Sequence, residues 1–203
     1  MSRVDLTNMP RRVAALPRDR RGLPIPAIVL RDGNGDPHFT MNDAHVAERL
    51  AREGGCGICG EQLGAFKCFV GGPGSAFHPE GRYFDGPVHL DCAEFALRVC
   101  PYLAGSYVRR IGERTLRPES IPAGAVLIAE DPTVHAPQPA VFVLGSCKRF
   151  SRDVAGHFIP ERPWAQVRFF CAGQEIGSAR ARRLAEADPT PAAPFAELRW
   201  QER

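Results

Sequence analysis

Lysine is almost absent from this chain: of 26 basic residues only Lys67 and Lys148 are lysines, and the rest are arginines. Neither lysine closes a glycine-rich loop ahead of Ser or Thr, which excludes a phosphate-cradling nucleotide site of that type. The dinucleotide fingerprint and the nucleophile-elbow pentapeptide are also missing, which removes the commonest nicotinamide and serine-hydrolase designs. No apolar run approaches the roughly 20 residues of a membrane helix, so no membrane partner is expected. There is no apolar signal-peptide core, and the cysteines number seven, an odd count. A secreted disulfide framework is disfavoured on both grounds, and a reducing, cytoplasmic setting is expected.

What the chain does hold is turn residues, 20 Gly and 19 Pro in 203 positions, which predicts short elements joined by many turns. Hydrophobic residues at 44% and charged residues at 24% are ordinary globular proportions, enough for one core or one core with a small satellite. The net charge of +3 is too small to name a partner, but it is unevenly placed. Residues 1–31 carry seven arginines against Asp5 and Asp19. Arg11, Arg12, Arg18, Arg20 and Arg21 therefore form a basic, proline-rich arm of the kind that meets phosphates or an acidic partner.

The arm from Arg11 to Pro26, broken by Pro17, Pro24 and Pro26, is not expected to hold a regular helix. Ile28–Leu30, the turn Asp32–Asp36 and His38–Thr40 predict a β-hairpin. Asn42 to Glu53 predicts a helix capped by Asn42 and ended at Gly54-Gly55. Leu63–Val70 and Arg82–Phe84 predict two strands joined through Gly71–Gly74, and Asp91–Val99 predicts a helix stopped by Pro101. Strands are expected at Ala125–Ala129, Ala140–Leu144 and Val167–Cys171, and a helix from Ser178 toward Asp188.

The chemistry concentrates at Cys56-Gly57-Ile58-Cys59-Gly60, where two thiolates three residues apart can bend onto one metal ion and the glycines permit the tight turn. His89 and Cys92 complete the set, because positions i and i+3 at a helix start share a face. Cys68 is the competitor for the place of His89. Cys100 lies eight residues beyond Cys92, about 12 Å along a helix, so both cannot bind one ion. Three thiolates and an imidazole leave no open position, which favours one structural zinc over a catalytic one.

The order of knuckle, hairpin and helix with two ligands in its first turn resembles the treble-clef zinc finger, and positions 56–100 resemble the frame of HNH-type endonucleases. That likeness implies a water-activating histidine at the end of the strand after the knuckle. This chain has Val70-Gly71-Gly72-Pro73 there, which keeps the proline of a His-x-x-Pro pattern without its histidine. His78 is the nearest substitute. The phrases Leu16–Gly22, Cys56–Gly60, Gly64–Pro73, His89–Ala93 and Cys100–Leu103 also resemble a family of bacterial and phage zinc-binding proteins over residues 10–110. That likeness implies one unit of arm, hairpin and finger and brings no activity with it.

Lesser features have ordinary readings. Asp32-x-Asn34-x-Asp36 with Asp43 copies part of a calcium loop, but Pro37 stands where glycine is required, so a hairpin turn is expected. Cys147, between a strand end and Lys148-Arg149, is a weak nucleophile candidate, with His135 and His157 as bases by type alone. Trp164 and Phe169-Phe170, near Arg162 and Arg168, are expected in the core rather than stacked on bases. The expected fold is α+β: an arm over 1–31, a zinc-binding treble-clef-like module over 32–103, a small sheet with a helix over 104–188, and a tail over 189–203. The expected function is a zinc-stabilised binding protein for nucleic acid or a protein partner, without an enzymatic role. A degenerate HNH-type nuclease using His78 and a thiol enzyme using Cys147 are the alternatives.

Overall fold

The structure is a computed structural model that describes residues 6–104 and 138–188. It is α+β, with several small antiparallel sheets. The strand expected at Ala125–Ala129, His135 and the 189–203 tail lie outside the described residues.

The arm holds one helical turn, α1 (Arg11–Ala14), which ends before Pro17 and drives Val13 into the core at 1% exposure. Beyond Pro17 the chain folds back on itself. Asp19 accepts the Arg21 and Leu23 amides, Gly22 turns the backbone at φ 81, and Arg18 pairs with Pro24 across a single bridge. The arm is therefore a tucked strap whose apolar residues Val13, Leu23 and Ile25 are buried.

β1 (Val29–Arg31) and β2 (Pro37–Asn42) form the expected hairpin. Asp32 Oδ1 accepts the Asn34 and Asp36 amides, both at 2.9 Å. The carboxylate thus closes a turn, in keeping with the hairpin reading. α2 (Ala44–Glu53) is capped by Asp43, which accepts from the His45 and Val46 amides at 3.0 Å, and it ends at Gly54 with φ 70. Asn42, the cap expected from the sequence, instead donates to Asp85 at 2.9 Å. A carboxylate at the cap also complements the positive end of the helix dipole.

The next stretch departs from expectation. β3 (Lys67–Gly71) is followed at once by α3 (Pro73–Phe77), with proline in the first turn and Gly72 as cap, a placement that suits proline. The expected return strand at Arg82–Phe84 does not pair with β3. Tyr83 bridges Phe158, and the chain returns to β3 ahead of α4 through the bridge between Cys68 and Val88. α4 (Leu90–Val99) follows, with His89 as cap and Cys100 in extended geometry before Pro101, as the pre-proline clash requires.

β3 takes its ladder partner from far along the chain. β4 (Phe142–Cys147), β5 (Phe150–Arg152), β6 (Phe158–Pro160), β7 (Gln166–Cys171) and β8 (Gln174–Ile176) complete the strands, and the main sheet runs in the order β3-β4-β7-β8. α5 (Ser178–Glu186) covers this sheet, capped by Gly177 rather than by the expected Ser178. Successive β4 side chains face opposite ways. Phe142 and Leu144 join a core with Cys56, Cys92 and Phe95, whereas Val143 and Cys147 join one with Phe69, Phe158 and Trp164. The stretches 32–103 and 138–188 thus share a sheet whose strand β4 is buried on both faces.

Candidate metal centre

The knuckle is shaped by its own backbone. Cys56 donates its amide to Glu61 O at 2.8 Å, Gly60 donates to Cys56 O at 2.8 Å, and Gly60 adopts φ 78, which suits glycine. The Cys59 amide points at Cys56 Sγ, 3.5 Å away. Two neighbours hold the knuckle in place: Gly57 donates to Pro87 O at 2.9 Å, and the amides of Ala27 and Ile28 donate to the carbonyls of Ile58 and Gly57. The bridge from Cys68 to Val88 then delivers His89 and the start of α4 to the same spot.

Cys56, Cys59, His89 and Cys92 converge so that their four ligand atoms all lie within 4.8 Å of one another. Cys56 and Cys92 are fully buried, and Cys59 and His89 are half-buried. His89 Nδ1 stands 3.4 Å from Cys59 Sγ, while its Nε2 lies 3.0 Å from Gln62 O. A carbonyl only accepts, so Nε2 carries the proton and Nδ1 turns its lone pair to the sulfurs. The group can hold a metal ion.

The three thiols hold their protons unequally. Cys56 is drawn down to about 5, chiefly because the Cys92 thiol donates to it, with amides of Cys59, His89 and Ile58 assisting. Cys59 is pushed up to about 11 by burial, and Cys92 is raised by holding its proton toward Cys56. Three sulfurs this close cannot all be thiolates without a positive ion among them, and binding one would release the protons of Cys59 and Cys92.

Arg12 clamps the arm to both halves of the centre, with Nε 3.2 Å from Asp91 and a guanidinium nitrogen 3.7 Å from Glu61. Neither this clamp nor the Gln62 carbonyl is marked by any sequence spacing. The nearest signal is the basic arm itself, which gave Arg12 a partner-binding role. Arg21 is similarly engaged, 2.7 Å from Asp19 and over the Phe39 ring, and Arg18 donates to the Gly22 carbonyl at 2.9 Å; Arg11, Arg18, Arg20 and Arg21 are all exposed.

The other candidates lie elsewhere. Cys68 is buried on β3, its thiol pushed up to about 12 by burial, and it is not in the four-atom group. Cys147 is 2% exposed, and burial raises its thiol as well. His78 ends α3, and its Nδ1 accepts the Glu80 amide at 3.1 Å. His157 Nδ1 is 2.9 Å from Asp153, which also takes Arg82 at 3.0 Å. Trp164, Phe169 and Phe170 are core residues, and the Trp164 indole donates to Ala76 O at 3.0 Å. Arg162 is tied to the Ser75 and Gly81 carbonyls, and Arg168 to Glu94 and Glu175. Comparison with known protein families, curated proteins and solved structures returns no match for the chain.

Proposed function

We propose that this chain is a binding protein tied together by one structural zinc ion at Cys56, Cys59, His89 and Cys92, with a cationic surface that meets nucleic acid or a protein partner. The observation that carries this reading is the convergence of three sulfurs and one imidazole nitrogen within 4.8 Å. Tetrahedral zinc with Zn–S bonds near 2.3 Å needs sulfurs about 3.8 Å apart and a sulfur–nitrogen separation of about 3.5 Å. The Cys59–His89 separation of 3.4 Å already meets the second requirement. The soft thiolate set selects zinc over calcium or magnesium.

Bound there, zinc supplies positive charge and a cross-link rather than an activated water, because four protein donors fill its coordination. The residues do the rest. Cys56 and Cys59 fix the knuckle, His89 and Cys92 fix the first turn of α4, and Gln62 O holds the imidazole orientation. Of the arm cations, Arg11, Arg18 and Arg20 are exposed toward a partner.

Metal analysis of purified protein is expected to return one zinc per chain, and Cys56→Ser with Cys92→Ser is expected to leave the chain unfolded. Metal-free protein that is well folded overturns the reading. Plasmid nicking with Mg²⁺, abolished by His78→Ala, would replace it with the nuclease reading.

A further inference from the structure

Both lysines of this lysine-poor chain stand in one open groove. Lys67 and Lys148 line it together with Arg52, Arg149 and Arg152, around a volume of ≈ 530 Å³. Three separate stretches build it: the second half of α2 with Glu48, Ala51 and Arg52, the start of β3 with Lys67, and the β4–β5 turn with β5. Lys67 faces Cys147 in the β3–β4 register, which sets Lys67 and Lys148 at the same end of that strand pair.

The acids nearby cancel part of this charge: Glu53 pairs with Arg49 at 3.3 Å and Arg52 at 4.0 Å, Glu161 pairs with Arg149 at 2.6 Å, and Glu48 lines the groove itself. Among the described residues Lys67, Lys148 and Arg152 form no ion pair. Lys67 donates to Ala65 O, and Arg152 is held by Gly156 O and the Phe158 ring. The groove also has aromatic surface. Phe150 lines it, half-buried and in a T-shaped contact with Phe69.

We propose that this groove binds single-stranded nucleic acid, with Lys67 and Lys148 facing phosphates and with Phe150 offering ring surface to an unpaired base. A phosphate chain answers the clustered cations through counterion release, and a ring within a cationic groove suits a base whose face is free. An acidic peptide would use the cations and leave the ring idle, and a duplex would keep its base faces hidden. The proposal rests on the binding-protein reading above, but it moves the contact surface from the arm to the sheet.

The test is fluorescence anisotropy of the zinc-loaded full chain with labelled oligo(dT) and oligo(U), at about 50 to 200 mM salt. The double variant Lys67→Ala/Lys148→Ala should weaken binding on the order of tenfold and flatten the log–log salt slope by about 1.4, since each lost phosphate contact removes about 0.7. Phe150→Leu, which keeps an apolar side chain against the core, should cost about tenfold. Arg11→Ala/Arg18→Ala/Arg20→Ala should stay within about threefold of wild type. Equal zinc content and melting temperature establish that each variant is folded.

If the arm variant loses binding while the groove variant keeps it, the groove assignment falls and the wider binding-protein reading stands. If wild type binds neither oligonucleotide, or poly-glutamate of equal charge competes as well, single-stranded nucleic acid is wrong as the ligand class. Loss of zinc stoichiometry, by contrast, would strike the earlier reading and leave the groove result intact.

Discussion

At the residue scale, tolerance is set by what each side chain would strike. Gly145, in the middle of β4, lies under the Trp164 indole: a Cβ built there would come within 2.6 Å of the ring. Trp164 cannot yield easily, because it is 5% exposed and its ring nitrogen is bonded to Ala76 O. Gly145→Ala is therefore expected to destabilise the fold by about 1–3 kcal/mol, the usual cost of overpacking, read as a lower urea midpoint with an unchanged slope. An unchanged midpoint would mean that the indole has room to move. The pairing is invisible in the sequence, since nothing near Gly145 refers to a residue that arrives from the β6–β7 connection. Cys56, Cys59, His89 and Cys92 were legible for the opposite reason. Metal ligation needs particular atoms at short, repeating separations, and those separations survive in the spacing.

At the element scale, legibility followed locality. The β1–β2 hairpin and helices α2 and α4 are each set by contiguous residues, so turn chemistry and end signals announced them, although the α2 cap is Asp43 and not Asn42. The β3–β4 ladder joins Lys67–Gly71 to Phe142–Cys147, and no local signal could choose that pairing over a return at Arg82–Phe84. The β5–β6 hairpin carries a testable electrostatic contact. Burial tends to raise the Asp153 carboxyl, but the ring and backbone N–H groups of His157, with Arg82 beside them, hold it below its ordinary 3.8. A carboxyl depressed in the folded state stabilises above its unfolded value, and that stability is lost as pH falls through the folded value. The urea-midpoint advantage of wild type over Asp153→Asn should thus shrink as the pH falls below about 4. An advantage that instead grew toward acid would show that the carboxylate is not stabilised there.

At the scale of the whole molecule, the metal centre and the C-terminal sheet are expected to stand or fall together. The centre lies in the core that contains Cys56, Cys92, Phe95, Phe142 and Leu144, and the far face of the same sheet carries Val143, Phe158, Phe169 and Trp164. If zinc is bound as proposed, releasing it would withdraw on the order of 10 kcal/mol of folding free energy, a quantity comparable to the entire stability of an ordinary domain. It would also free the knuckle and α4 from the face that they cover. A sheet of short strands with one face opened to water has little left to offset its chain entropy. Chelation should therefore lower the melting temperature steeply. In a Trp200→Phe background, far-UV circular dichroism and Trp164 emission should report one common midpoint, with and without zinc. If Trp164 emission persisted above the circular dichroism transition, the sheet would be an autonomous unit and the metal would serve only the knuckle and α4.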